Sequence, residues 1–378
     1  MRRHALLALS CCAALSAPAQ AGVLAEDRAD VMYHLYDGGG VEIDGPSMLV
    51  RKKFAEKYAV SANYYVDLVS SASIDVVTTA SPYKEERKEY SLGGEYLRGK
   101  SIYTVGFTNS KENDYEANAA SVSISQDMFG DLTTLQLSFS RGWDQVFRRG
   151  DDTFEDRLDR RVYGADLTQV ATKSLILGLS WETVTEEGFL NNPYRSVRYL
   201  DPEAASGYSY QAEVYPRTRT GNALAVRGRH FLPWRAAAQA EYRWYSDSWG
   251  VLGHTVELSY TQPYGARWVF DARYRWYTQD GADFYSDLFP REDFQNFLAR
   301  DKELATMTSQ TIGIGASYEL RLPGMDFLEK TTVNFRYDYM LFDYDDFRDL
   351  RVTGVPPGTE PFYDFSANVV QLFFSGWF

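Results

Sequence analysis

The chain lacks the residues and segments that several large classes of protein need. Its two cysteines, Cys11 and Cys12, lie in an N-terminal segment that we expect to be removed. A mature chain without cysteine excludes disulfides, thiol catalysis and thiolate metal sites. A lipid-anchored N-terminus at Cys11 is the weaker alternative, because Ala8 stands where lipoproteins have a large aliphatic residue. No later apolar run reaches the roughly 20 residues that a membrane helix needs.

Basic residues are few and aromatic residues are abundant. The chain has 39 Lys and Arg against 52 Asp and Glu, a net charge of −13, so a nucleic-acid partner is not expected. It also has 28 Tyr, 22 Phe and 8 Trp with a mean hydropathy of only −0.39. Membrane β-barrels combine these properties, because only alternate residues face lipid and aromatics gather at both interfaces.

The N-terminus has the three parts of a secretory signal peptide. Residues 2–3 are basic, residues 5–15 are apolar, and residues 19–21 read Ala-Gln-Ala. This pattern predicts a signal peptide over 1–21 and export of the mature chain. No linker or change of composition divides the remainder, so we predict one domain over 22–378.

Alternation of apolar and polar residues recurs along the mature chain. It is clearest at residues 60–67, 135–140, 175–182, 312–321 and 333–341. A period of two predicts strands with one apolar face. Short turns alternate with long polar loops between these strands, which predicts an all-β fold: a transmembrane antiparallel up-and-down β-barrel of about 16 strands, with short periplasmic turns and long extracellular loops.

Three of the predicted long loops are of special interest. Residues 144–160 and 344–361 are rich in acidic side chains. Residues 278–308 form the longest candidate for a plug or constriction of the lumen. Pro290 is placed to open a short amphipathic helix there, which either enters the lumen or lies flat outside.

Aromatic residues predict where the barrel meets the membrane surface. Trp234 and Trp244 are ten residues apart, and Trp268 and Trp276 are eight apart. At ~3.3 Å per residue and ~40° tilt, each pair spans roughly 20–25 Å along the membrane normal. We interpret each pair as the two girdles of one strand. Core aromatics of a soluble sheet are the alternative.

The C-terminal residues predict a strand that closes the barrel. Apolar side chains recur at alternate positions up to the final residue. This ending resembles the signal by which outer-membrane barrels are recognised for insertion, and an edge strand of a secreted sandwich is the alternative. The predicted signal residues are Val370, Leu372, Phe374 and Phe378.

The opposite face of the later strands is charged. Facing lipid, a midplane arginine costs about 2–4 kcal/mol, so we predict that this face lines a polar lumen. Its charges either satisfy one another as ion pairs or sort permeating solutes. The predicted lumen-lining residues are Arg227, Arg229, Glu241, Arg243, Glu257, Asp271, Arg273, Arg275, Glu319, Arg321, Arg336 and Asp338. Earlier strands offer small neutral residues instead, namely Gly106, Ser121, Ser123, Ser125 and Ser138.

No constellation of residues predicts catalysis, a cofactor or a metal site. His34, His230 and His254 are widely separated and lack metal-ligand spacing. Acidic clusters at 151–156 and 343–349 could hold Ca²⁺, although a solvated rim that attracts cations is the favoured interpretation.

The chain resembles the outer-membrane proteins classed as domain-of-unknown-function family 3570. The resemblance is carried by residues 28–37, 39–41 and 63–67 and by the aromatic C-terminus. Members are encoded near a flavin-transferring enzyme, a thioredoxin-like protein and a small lipoprotein. The resemblance therefore implies an envelope context of redox or metal handling, and it supplies no functional residues.

These observations predict a protein of the Gram-negative outer membrane. The first hypothesis is a porin-like channel or export conduit for small polar or charged solutes. The alternative is a plugged scaffold that docks an envelope partner, and an outer-membrane enzyme is third. Expected partners are outer-membrane lipid and lipopolysaccharide, the barrel assembly machinery during insertion, and a periplasmic protein or lipoprotein.

Overall fold

The computed structural model describes residues 22–71, 83–321, 324 and 327–378, so the predicted signal peptide lies outside the described residues. Eighteen strands and one 3₁₀ turn, Lys302–Leu304, make up its secondary structure. The strands are β1 (Arg28–Gly38), β2 (Val41–Phe54), β3 (Tyr58–Ser71), β4 (Tyr83–Arg98), β5 (Ser101–Lys111), β6 (Tyr115–Met128), β7 (Thr133–Arg148), β8 (Asp151–Val170), β9 (Leu175–Gly188), β10 (Ser196–Leu200), β11 (Tyr208–Ala212), β12 (Thr218–Phe231), β13 (Ala237–Asp247), β14 (Leu252–Tyr264), β15 (Trp268–Gln279), β16 (Met307–Leu320), β17 (Lys330–Arg348) and β18 (Phe362–Trp377).

Sixteen of these strands form one closed antiparallel barrel. Each pairs with the next barrel strand along the chain, and β1 pairs with β18 to close the ring. The other two strands, β10 and β11, form a separate hairpin within the β9–β12 connection. The prediction of an up-and-down barrel of 16 strands is therefore confirmed. Within the described segments, no helix is long and apolar enough to cross a membrane.

The two faces of the barrel wall differ in polarity. On β6, Val122 is 52% exposed and points outward, while Ser121 and Ser123 point inward. On β16, Ile312 and Ile314 point outward and are more than half exposed, while the glycines at 313 and 315 point inward. Such a continuous exposed apolar belt is what a lipid-facing wall requires.

The outer connections differ from the prediction at residues 144–160. β7 continues to Arg148 and β8 starts at Asp151, so the two strands form a long hairpin joined by residues 149–150. Both faces of this hairpin are largely polar at its outer end. Without an apolar face the period of two disappears from the sequence, and the segment was therefore predicted, wrongly, as a loop.

The β15–β16 connection also differs from the prediction, because no helix follows Pro290. Its backbone is used instead in bridges to the β9–β12 connection, at Tyr199 with Phe289 and Val214 with Leu298. Phe289 and Leu298 are buried together with Val197. Pairing with a neighbouring loop thus replaces the internal hydrogen bonds of a helix.

Candidate functional site

Charged side chains form a ladder along the inner wall from β9 to β17. Arg227 contacts Glu241 on the adjacent strand, with Nε 3.0 Å from Oε2. Arg243 on β13 reaches Glu182 on β9, passing over β12, at 3.4 Å. All four side chains lie on the face opposite the exposed apolar belt. Three of these four residues are among the predicted lumen charges; alternation along residues 175–182 also put Glu182 on the polar face, but it was not included among them.

Two further ion pairs cross β16. Arg273 on β15 contacts Asp338 on β17 at 2.7 Å, and Asp271 contacts Arg336 at 3.6 Å. A Cβ atom at Gly313 would lie 2.1 Å from the Asp338 carboxylate. The glycines of β16 therefore leave the room in which side chains from its two neighbours meet.

The ladder remains open to solvent. The solvent-exposed fractions of the Arg227, Arg243 and Arg336 side chains are 36%, 35% and 39%. A packed interior would remove most of this exposure, as it does for the 5% exposed Asp338 carboxylate. The middle of the inner wall on this side is therefore lined by hydrated charges.

The other predicted lumen residues have different surroundings. Arg229 donates to Gln239, and Arg275 lies opposite Glu257 in the strand register with its guanidinium over the Tyr277 ring. Within the described part of the chain, neither arginine has a carboxylate within ion-pair distance.

Two predicted lumen residues lie toward the periplasmic end. Glu319 is the second-last residue of β16, directly before Leu320. Arg321 is exposed and directly follows the last residue of that strand, and its place on the lumen wall stays a prediction.

The earlier strands are only partly neutral. Gly106 faces Ser121 so closely that a Cβ at residue 106 would lie 2.6 Å from the serine Oγ. Nearer the outer end, however, the inner wall carries charge. His34 Nε2 lies 2.8 Å from Asp67 Oδ1, and Arg87 binds the other oxygen of that carboxylate at 2.7 Å. No local sequence pattern marks this buried trio, because its members come from β1, β3 and β4.

The remaining histidines do not join this group. His254 faces outward and contacts the Tyr242 hydroxyl through Nδ1 at 2.8 Å. His230 is exposed near the periplasmic end of β12. The three histidines are thus held on different parts of the wall.

A cap of three outer connections covers the barrel mouth from β8 to β18. We define the cap as residues 189–217, 280–306 and 349–361. Its centre is Arg198, which is fully buried and contacts Asp287 at 2.5 Å and Glu360 at 2.6 Å. Arg300 also contacts Asp287, at 2.8 Å. Each cap segment therefore contributes to one ion-pair network.

Apolar packing fixes the cap to the inner wall. Leu158 of β8 is buried against a cluster that includes Trp249, Phe284 and Leu304. A second cluster joins Ala305 to inner residues at the outer ends of β16, β17 and β18. The β15–β16 connection thus contacts the wall at β8 and again at the outer ends of β16, β17 and β18, as expected for a constriction.

The ion pairs of the cap alter the acidity of its members. Burial by itself lowers the pKa of Arg198, but its bonds to Glu360 and Asp287 outweigh burial and raise this pKa above the ordinary value. Burial by itself raises the pKa of Glu360, and the hydrogen bond from Arg198 lowers it below the ordinary 4.5. Both groups are therefore held in their charged forms.

The acidic clusters noted in the sequence are not assembled into one site. Asp156 forms two hydrogen bonds with Arg217, Asp349 binds Arg351, and Asp346 accepts a bond from the Thr306 amide. A different group has closer oxygens: the carboxylates of Glu85, Glu112 and Asp114 lie within 4.8 Å of one another. Sequence reasoning missed this group because it combines β4 with the β5–β6 connection.

The predicted girdle is only partly carried by strands. Trp244, Trp268 and Trp276 lie on the outward faces of β13 and β15. Trp234 lies in the turn before β13, so its predicted place on one strand with Trp244 is wrong, because the chain must reverse between Phe231 and Ala237. Its indole donates to the Tyr260 hydroxyl at 3.0 Å.

The predicted insertion signal lies on the closing strand. Val370, Leu372 and Phe374 share the outward face of β18, and Leu372 is 52% exposed. Phe378 follows the end of the strand, and the Lys52 ammonium lies 4.9 Å from its ring. The role of these residues in insertion stays a prediction.

Solved structures with similar folds are outer-membrane barrels. A bacterial polysaccharide outer membrane secretin is 8% identical, with a TM-score of 0.50 over 94% of this chain and all of that chain. A Pseudomonas aeruginosa FadL homologue is 8% identical, with a TM-score of 0.46 over 94% and 91%. The siderophore receptor PirA from Pseudomonas aeruginosa is 13% identical, with a TM-score of 0.43, and this chain spans 63% of that receptor. At 8% identity, the similarity to the secretin shows the fold alone.

No curated protein matches the sequence significantly. The sequence does match the family described as "Protein of unknown function (DUF3570)", over residues 4–166 and 153–345. Together these segments cover most of the chain and include the inner-wall ladder up to Asp338. The chain therefore belongs to this family.

Proposed function

We propose that the protein is a porin-like channel or export conduit for small charged or polar solutes, with an outer mouth narrowed by the cap. The observation that carries the proposal is the hydration of the ladder, whose arginines keep about a third of their exposure at the middle of the wall. Hydrated charges on a lumen wall can replace part of a solute's water shell during passage. The family context supports solutes of envelope redox or metal handling as the first to test.

The charge balance of the ladder suggests how it would sort ions. Arg227, Arg243, Arg273 and Arg336 are each compensated by a carboxylate. Arg275 lies opposite Glu257 in the strand register, but no carboxylate of the described residues is within ion-pair distance of it, and it faces the lumen beside Tyr277. We therefore expect Arg275 to influence the selectivity of a conducting pore more than its paired neighbours.

Planar-bilayer recording of the full mature chain tests this proposal. We expect steady unitary currents from the wild type, and a shift of selectivity toward cations in Arg275→Glu. Lys111→Glu makes the same charge reversal on the outward face and should leave selectivity unchanged. Currents with equal selectivity in all three proteins would contradict the assignment of Arg275 to the permeation path.

The buried network of the cap favours a second candidate, a closed barrel that docks an envelope protein. Arg198 is fully buried, as expected of a fixed structural centre rather than of a loop that moves at each passage. In this case the wild type and Arg198→Ala should both lack unitary currents. A current that appears only in Arg198→Ala would instead identify a channel that the cap closes.

A further inference from the structure

The outward face of β5 to β8 is apolar at mid-height. Val105, Val122, Phe139 and Tyr163 are successive partners in the strand register, and all are substantially exposed. This row belongs to the lipid-facing belt. It provides a reference level for the residues that follow toward the outer end.

Beyond this row, the outward face of the same region carries paired basic residues. Arg141 on β7 lies directly opposite Arg161 on β8, and both are exposed. Lys88 on β4 lies directly opposite Lys111 on β5. Like charges in direct cross-strand pairs destabilise a sheet. Two such pairs lie on this part of the wall, one on β4 and β5 and the other on β7 and β8, so nearby anions would stabilise both.

The protein supplies part of that compensation. Asp159 lies 2.7 Å from Arg141 and 3.4 Å from Arg161, so one carboxylate serves two guanidinium groups. Glu86 contacts Lys88 and Glu116 contacts Lys111. Arg157, on the outward face of β8, is another exposed cation, and its Nη2 lies 3.8 Å from Glu155 Oε1. We call the five cations the basic rim: Lys88, Lys111, Arg141, Arg157 and Arg161.

Two members of the basic rim, Arg141 and Arg161, lie at the level of the outer-leaflet headgroups. Arg141 is eight residues from the periplasmic start of β7, and Arg161 is nine from the periplasmic end of β8. At ~3.3 Å per residue and ~40° tilt, this places them about 20–23 Å above that end, near the outer edge of a ~25 Å apolar band. An arginine facing lipid costs little at this depth, and its guanidinium can bind a phosphate through two parallel hydrogen bonds.

The far side of the barrel has the opposite charge at its outer end. Asp37 on β1 lies opposite Glu42 on β2, and Asp343 on β17 lies opposite Asp364 on β18. All four are exposed on the outward face. An anionic headgroup is repelled there. The two sides of the outer end of the barrel therefore differ in their attraction for an anionic lipid.

We propose that the basic rim binds the phosphate groups of phosphorylated glycolipid, lipopolysaccharide, in the outer leaflet. The phosphates lie against Arg141 and Arg161, and the acyl chains run down the apolar row formed by Val122 and its neighbours. This function goes beyond transport, because the surface faces lipid and does not contact the inner wall.

Binding of bisphosphorylated lipid A to the purified full chain in nonionic detergent tests the proposal. We expect Arg141→Gln/Arg161→Gln to weaken binding at least about tenfold. Asp343→Asn/Asp364→Asn removes a matched pair of outward charges on the far side and should leave binding unchanged. Lipid A without phosphate groups should bind neither the wild type nor the variants.

Three outcomes would overturn the proposal. They are equal binding of lipid A with and without phosphate, unchanged affinity in Arg141→Gln/Arg161→Gln, and full displacement of lipid A by inorganic phosphate, which would indicate a site for free anions. Heat-modified gel migration reports whether each variant is folded. If the arginine variant does not fold, Lys88→Gln/Lys111→Gln is subject to the same comparison.

Discussion

Arg273 and Asp338 are joined by two hydrogen bonds across an intervening strand, from Nε at 3.0 Å and from Nη2 at 2.7 Å. The pair exists because Gly313 has no side chain between them. A Cβ there would collide with the carboxylate of Asp338 and with the Arg273 side chain. Separation of the pair leaves a buried carboxylate without its partner.

We therefore expect Gly313→Ala to lower the free energy of unfolding by about 1–3 kcal/mol. Urea-induced unfolding in lipid vesicles measures the change. Gly228→Ala is the control, because a Cβ at residue 228 would meet only Leu177, at 3.7 Å. Equal stability of the two variants would show that the ion pair across β16 contributes nothing.

The orientation of the wall predicts losses of stability of different size for two adjacent substitutions on β6. Val122 points outward at mid-strand and Ser123 points inward. Val122→Arg should lower the free energy of unfolding by about 2–4 kcal/mol, because its charge enters hydrocarbon, and Ser123→Arg by less than about 1 kcal/mol. The same vesicle assay measures both. A larger loss in Ser123→Arg would contradict the assignment of faces.

Removal of the central arginine of the cap should loosen the outer loops without unfolding the barrel. Arg198→Ala leaves Glu360 buried without a cation, and breaking such a pair costs about 3–5 kcal/mol. We expect cleavage within residues 189–217 by an added protease to accelerate at least about tenfold, with the barrel fragment intact. Arg351→Ala removes an exposed arginine paired with Asp349 and should not change the rate. Equal rates in both variants would show that the network does not hold the cap.

Acidification should loosen the same loops. The pKa of Glu360 is lower in the folded cap than its ordinary 4.5, because of its hydrogen bond from Arg198. A depressed pKa adds stability that is complete above the ordinary value and is lost as the pH falls through the folded value. Hydrogen exchange at residues 196–212, corrected for intrinsic rates, should therefore accelerate as the pH falls below the ordinary 4.5 and through the lower folded pKa of Glu360. Glu360→Gln should exchange faster than the wild type at neutral pH, approach the wild-type rate in acid, and show no such step.

The barrel could be predicted because its signal is repeated. Each strand places residues such as Val122 and Ser123 on opposite faces, so an error in one strand leaves the others intact. The side of the wall that carries the ladder was predictable in the same way, because alternation along the strands places Arg273 and Asp338 on the same face. Their contact was not predictable, because it depends on Gly313 in β16, and neither Arg273 nor Asp338 lies on that strand.

The cap could not be predicted, because its contacts join distant parts of the chain. Arg198 is separated from Asp287 by 89 positions and from Glu360 by 162. No local period or spacing connects residues so far apart. The prediction of a helix after Pro290 failed for the same reason, since the backbone there pairs with a loop that the sequence does not mark.

The pairing of β1 with β18 has a consequence for biogenesis. Arg28 lies opposite Trp377 and Gly38 opposite Ala367, so the seam unites the two most distant strands. Until the seam forms, β1 and β18 each have an unpaired edge. The backbone amides of that edge have no water with which to form hydrogen bonds in the hydrocarbon region. Substitutions along this seam should therefore reduce the yield of inserted protein more than the durability of a barrel that has already closed.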